Sequence, residues 1–288
     1  MQVLNYTSSD QVSSRKLQTF VSMERLIQQK MQSALTNPEW DCEERVTQVH
    51  SPSQKIHDNP LGYPIPLTVR LQGNQINYRS AIALSLAGKQ SSLAPKIAQQ
   101  LTPVLQQEID PDFAQIQLLP PAWIELTLTE RAVRQWLQSS LKYFPPAPPA
   151  SSASGKTVSF SQYVRDRCWQ ILQLGVTENL VSLPKNPQAW EEISLPQFNH
   201  LSREDWQFIY QLIASSDRLP KVSSPQQLQK LAHSLGEAFL EFHRCCQFFD
   251  RKQAHFPQIA MIRFHLIAMT HGFLLIPFRS IDATHRSI

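Results

Sequence analysis

The N-terminal half of the chain switches repeatedly between two hydrophobic periods. Over residues 16–35, Leu17, Phe20, Val21, Leu26, Ile27, Met31 and Leu35 recur near helical spacing, and Asn37-Pro38 ends the run. Residues 39–60 are polar and aperiodic, the pattern of a loop or short turns. Residues 64–71 alternate apolar and polar, which predicts a strand, followed by a turn at Gln72-Gly73-Asn74-Gln75. Asn77, Tyr78 and Arg79 then read as a turn leading into a helix that begins over residues 80–86. A further helix runs from Pro95, a good first-turn residue, to about Ile109. Two more alternating strands, 113–119 and 123–128, flank Pro120-Pro121. Thr129 is placed to cap a helix reaching about Leu141.

After Val158 the pattern is helical throughout. Helices are expected near 160–174, 203–214, 225–248 and 258–275. Leu228, Leu231, Leu235, Ala238, Phe239 and Phe242 share one stripe of the third. The fourth is apolar on most sides, with Ile259, Ile262, Phe264, Leu266 and Ile267, which predicts a central position. Ser202 before Arg203-Glu204-Asp205 reads as a capped helix start. The stretch 144–157, Pro-rich and then Ser/Gly-rich, is the clearest linker. The expected organisation is a polar tail at 1–14, a first domain at 15–143, the linker at 144–157, and a second domain at 158–288.

Composition narrows the function classes. Of 288 residues, 42% are hydrophobic and only 17% charged, enough to bury a core in each domain. The formal charge is +4. Divided at residue 157/158, the C-terminal part has 13 Lys and Arg against 11 Asp and Glu, and the remainder 14 against 12, so each side carries +2. Affinity for nucleic acid scales with the phosphates neutralised, so weak binding, or binding shared with a partner, fits this charge better than a strong polyanion site. Seven Gly and 21 Pro argue against Gly-rich phosphate loops. The four Cys make no C-x-x-C pair, and no His/Cys/Asp/Glu set has metal spacing, so no metal or cofactor is expected. Without a signal-like N-terminus or an apolar run long enough to span a bilayer, the expected location is the cytoplasm.

Two stretches carry a family resemblance. Ser159-Phe160-Ser161-Gln162-Tyr163-Val164-Arg165-Asp166-Arg167-Cys168-Trp169-Gln170-Ile171-Leu172 resembles the "QYAHAR…SIL" helix that opens the anticodon-binding (DALR) domain of arginyl-tRNA synthetases. The runs 231–243 and 271–276 resemble later helices of that domain. Upstream, Ala81-Ile82-Ala83-Leu84-Ser85-Leu86-Ala87, with Tyr78 before it and Pro95-Lys96-Ile97-Ala98 after it, is similar to the same enzymes' N-terminal additional domain, which grips the tRNA elbow. The resemblance implies an α+β first domain, a small sheet with helices, followed by an all-α helical bundle of the anticodon-binding type. The departures are specific. Ile76 and Asn77 stand for the family's Gly and Asp, Ala81 for its Asn, Pro120 and Ala122 for two glycines, and Gln258 for an Arg; residues 280–288 lack the family's terminal motif.

The family's ATP-using domain is missing between these parts. None of the nine His forms H-x-G-H, and no P-loop or mobile Lys-rich loop is present, so arginine activation by this chain alone is not expected. The RNA-binding candidates are Asn77, Tyr78, Arg79, Tyr163, Arg167, Arg263 and His271. Tyr78 beside Arg79 is read as an exposed aromatic and cation that can stack on an unpaired base, against ordinary turn chemistry. Arg167 shares a helix face with Tyr163 and is read as a phosphate contact, against an ion pair with Asp166 or Glu178. Tyr163 is either a half-buried packing aromatic or a stacking platform. Arg263 and His271 lie within about one face of the last helix, as phosphate contacts or as packing and capping groups. The leading function is a non-catalytic synthetase paralogue that binds tRNA by elbow and anticodon arm. The alternatives are a protein-interaction scaffold and an accessory subunit to a synthetase, each with a protein partner and no membrane.

Overall fold

The computed structural model of the protein describes residues 22–36, 65–143, 159–182, 194–246 and 257–276. The expected tail, the loop at 39–60 and the linker at 144–157 lie outside them. The described architecture is mixed, a small four-stranded antiparallel sheet with helices followed by further helices. The Cα trace divides into two compact units. Among the described residues, the sheet unit gathers 22–36, 65–136 and 197–217, and the helical unit gathers 137–143, 159–182, 194–196, 218–246 and 257–276.

The sheet unit opens with α1 (Met23–Thr36). Strands β1 (Leu67–Gln72) and β2 (Gln75–Ser80) form a hairpin in which Gln72 faces Gln75. The intervening Gly73 has φ +60°, the left-handed conformation that such two-residue loops require and glycine adopts without penalty. Asn77, Tyr78 and Arg79 therefore lie inside a strand, not on a turn before a helix. Helix α2 (Ile82–Ala87) follows, and Ser80 Oγ accepts the amide of Ile82. Helix α3 (Ala94–Glu108) starts with Pro95 in its first turn, as expected. Strands β3 (Ala114–Leu119) and β4 (Trp123–Leu128) complete the order β1-β2-β4-β3. Thr129 Oγ1 then accepts the amide of Ala132 and caps α4 (Glu130–Ser140).

The pairing register separates the two sheet faces. Val69, Tyr78, Leu126 and Ile116 stand side by side on one face. The other face carries two polar rows across all four strands: Thr68, Arg79, Glu125, Gln117, and Arg70, Asn77, Thr127, Gln115. The apolar face continues into the core with buried Ile27 and Met31 of α1 and Leu101 and Leu105 of α3.

Helix α5 spans Phe160–Thr177, and α6 (Arg203–Arg218) starts on a reciprocal cap. Ser202 Oγ accepts the Asp205 amide, and Asp205 Oδ2 accepts the Ser202 amide. The capped start is the one read from sequence, but the allegiance of this helix differs from the expected division at the linker. Its Asp217 is buried, accepts the Glu24 amide at the start of α1 (3.0 Å) and accepts the Tyr78 hydroxyl (2.5 Å). A carboxylate at a helix N-terminus satisfies an otherwise unpaired amide and complements the helix dipole. Glu130 Oε1 likewise accepts the Phe198 amide (2.7 Å). These bonds explain why 197–217 groups with the sheet.

In the helical unit, α5, α7 (Pro225–Cys245) and α8 (Pro257–Leu274) pack on one another. Residues 262–274 of α8 are all buried, so the helix apolar on most sides is central, as expected. Each fully buried Leu, Ile or Phe there contributes about 1.5–3 kcal/mol of transfer free energy. Two glycines admit close contact. A Cβ at Gly175 of α5 would overlap the Phe264 ring of α8, and one at Gly236 of α7 would stand 2.8 Å from the Phe160 ring of α5.

Candidate nucleic-acid interface

Helix α5 begins on a full capping box. Ser159 Oγ accepts the Gln162 amide, and the Gln162 side chain accepts the Ser159 amide. Val164, Cys168, Ile171, Leu172 and Gly175 turn inward and are buried. Tyr163, Arg167, Gln170 and Leu174, spaced by four, three and four residues, form the outward stripe, and all four are exposed. Tyr163 is 54% exposed and Leu174 45%. The exposed large hydrophobic residues among those described, Tyr163, Leu174, Val176 and Leu180, all lie on this helix or in the turn directly after it.

The charges beside this stripe are unevenly satisfied. Arg165 is buried and donates from Nε (2.9 Å) and Nη2 (2.7 Å) to Asp166 Oδ1. That carboxylate was one expected partner of Arg167, and Arg165 occupies it. Among the described residues, no hydrogen bond or ion pair engages Arg167. Its charge acts on His243 in the last turn of α7, whose pKa is held below the usual imidazole value first by burial and then by repulsion from Arg167. Nearby, Arg244 and Glu241 pair with each other on the surface. An exposed aromatic one turn from an unpaired guanidinium offers a face for a nucleobase and a donor fork for a phosphate.

The other candidates are placed differently. Asn77 and Tyr78 are buried, at 3% and 1% exposure. Tyr78 packs on the core face with its hydroxyl on Asp217, so the exposed stacking aromatic expected there is absent. Its phenol pKa is pushed well up, by burial first and then by the Asp217 carboxylate. Arg79 is partly exposed but its Nε donates to Glu125 directly opposite (2.5 Å), and Gln117 donates to the same carboxylate (2.8 Å). Burial works against the Glu125 charge, yet these two hydrogen bonds, together with the charges of Arg79 and Arg70, hold the pKa below the usual carboxylate value. Arg263 and His271 are buried in the central helix α8, where the Trp169 ring lies 5.5 Å from that of His271. Both occupy packing positions, because every side of α8 is covered. Nearby His265 is pushed down to about 4 by burial and stays neutral at physiological pH.

Sequence reasoning missed His243, the cross-strand group around Glu125 and the Tyr78–Asp217 bond. The alternation Ile76, Tyr78, Ser80 was the available signal for β2 and for the burial of Tyr78. Among the described residues no group of His, Cys, Asp and Glu is arranged to hold a metal ion, and no helix is long and apolar enough to cross a membrane. No protein-family model, no curated protein and no solved structure matches the chain.

Proposed function

We propose that this protein binds tRNA without charging it, as a non-catalytic paralogue of arginyl-tRNA synthetases. The observation that carries the reading is the outward stripe of α5, where Tyr163 and Arg167 are exposed one turn apart and Arg167 has no carboxylate partner among the described residues. The same two residues carry the resemblance to the opening helix of the family's anticodon-binding domain, so α5 is the proposed contact with the anticodon arm. A small antiparallel sheet with helices ahead of further helices fits the family's order of parts. Burial of Asn77 and Tyr78 narrows the proposed elbow contact to Arg79 and the polar sheet face around it.

Unfractionated tRNA titrated against the full chain at low salt, followed by filter retention, tests this reading. Retention at micromolar protein that weakens with added salt is expected. No retention at low salt rejects it. A protein-interaction scaffold is the second reading, favoured by the exposed apolar side chains of Leu174, Val176 and Leu180 at the end of α5 and in the turn after it. Native co-purification yielding a stoichiometric protein and no RNA would favour that alternative.

A further inference from the structure

The Arg167 guanidinium of α5, which has no ion-pair partner among the described residues, has a neighbour on α7, and the packing of the two helices fixes it. Phe160 of α5 lies with its ring 4.4 Å from that of His233, and it sits with Val164 against Gly236 of α7. Seven residues beyond Phe160 is Arg167, and seven beyond Gly236 is His243. Seven residues is nearly two whole turns, or about 10 Å of rise, so each returns to the side of its helix that faces the other. The electrostatic action of Arg167 on His243 agrees with this side-by-side, same-direction course. Arg167 lies exposed at the rim of the seam and His243 half-buried within it, its ring 5.9 Å from that of Phe239.

We propose that Arg167 and His243 form a two-pronged seat for a single phosphate, so that RNA binding takes up a proton at His243 and tightens as the solution becomes more acidic. This rests on the tRNA-binding reading and adds regulation to the same surface. Neighbouring charged groups among the described residues are engaged with one another or buried, and at the start of the seam His233 faces Glu237 on α7. On α5, Asp166 is engaged by Arg165; on α7, Glu241 is engaged by Arg244; on α8, Arg263, His265 and His271 are buried. In the free protein, burial and the facing guanidinium keep the imidazole neutral near physiological pH. A phosphate between the two groups reverses the second cause. The charged imidazole becomes a donor from both ring nitrogens, and by linkage the site that gains a proton on binding gains affinity as pH falls.

The experiment is a tRNA affinity series at fixed ionic strength on the full chain, with His243→Gln alongside. Affinity is expected to rise about fivefold or more from about pH 7.5 to about pH 5.5 in the wild type and to stay flat in the variant. A flat wild-type series with measurable binding, or a slope that survives in His243→Gln, overturns the proposal and leaves the tRNA reading standing. If tRNA does not bind at any pH, the reading falls, and the seat is then judged by titrating the His243 ring by NMR with and without inorganic phosphate. An upward pKa shift caused by phosphate and lost in Arg167→Ala supports it, and no shift overturns it.

Discussion

Strand β2 and the outer stripe of α5 both carry an aromatic and an arginine that sequence reading assigned to RNA, yet the fold uses them in opposite ways. In β2, alternation sends neighbouring side chains to opposite faces of a sheet. Tyr78 enters the core and is tied to Asp217, while Arg79 goes to the other face and is tied to Glu125. In α5, residues four apart return to one side, so Tyr163 and Arg167 stay together and face outward. Adjacency in sequence separates groups on a strand, whereas spacing by four unites them on a helix. A likeness in residue letters therefore transfers a surface only when the period underneath is also right.

The contrast predicts stability losses at the sheet unit and binding losses at α5. The largest effect is expected for Asp217→Ala, which strands a buried phenol and a helix N-terminal amide; a loss of about 3 kcal/mol is expected by urea denaturation. If the melt is unchanged, the bonds from α6 do not hold the unit together. On the inner side of α5, Gly175→Ala pushes a methyl into the Phe264 ring and is expected to cost about 1–3 kcal/mol. Wild-type stability after this change would show that α5 and α8 can separate slightly without penalty.

Tyr78→Phe is expected to lower stability by about 1 kcal/mol and to leave tRNA affinity intact, whereas an exposed stacking residue would behave the other way round. Because burial raises the folded phenol pKa above its unfolded value, the contribution of Tyr78 is fully present below about pH 10 and is lost as pH climbs from there toward the folded value. The alkaline limb of the stability curve should therefore be shallower in Tyr78→Phe. The smallest change in stability, within about 0.5 kcal/mol, is expected for Arg167→Ala and Tyr163→Ala. Each should weaken tRNA binding by roughly tenfold, the scale of one lost stacking or phosphate contact. Unaltered binding in both variants would remove α5 from the interface.

The elements that sequence revealed share a feature: their pattern is local. Strands β1, β3 and β4 show alternation, Ser202 and Thr129 announce helix starts, and the all-round apolarity of α8 gives its central place. The strand β2 was passed over because its alternation, Ile76, Tyr78 and Ser80, is short and runs straight into a helix, and pairing with β1 and β4 on both sides fixes it. The allegiance of α6 was out of reach, since it depends on bonds from Asp217 to partners 193 and 139 residues away. At the candidate interface, Tyr163 and Arg167 were legible through their spacing. His243 was not, because its place beside Arg167 is set by how Phe160 settles against Gly236.

The return of residues 197–217 to the sheet unit has a consequence during synthesis. A ribosome releases this chain from the N-terminus, and domains made of one continuous stretch can close as soon as they emerge. Here the start of α1 and the phenol of β2 await a carboxylate translated much later. The first part cannot complete these two bonds until α6 has cleared the exit tunnel.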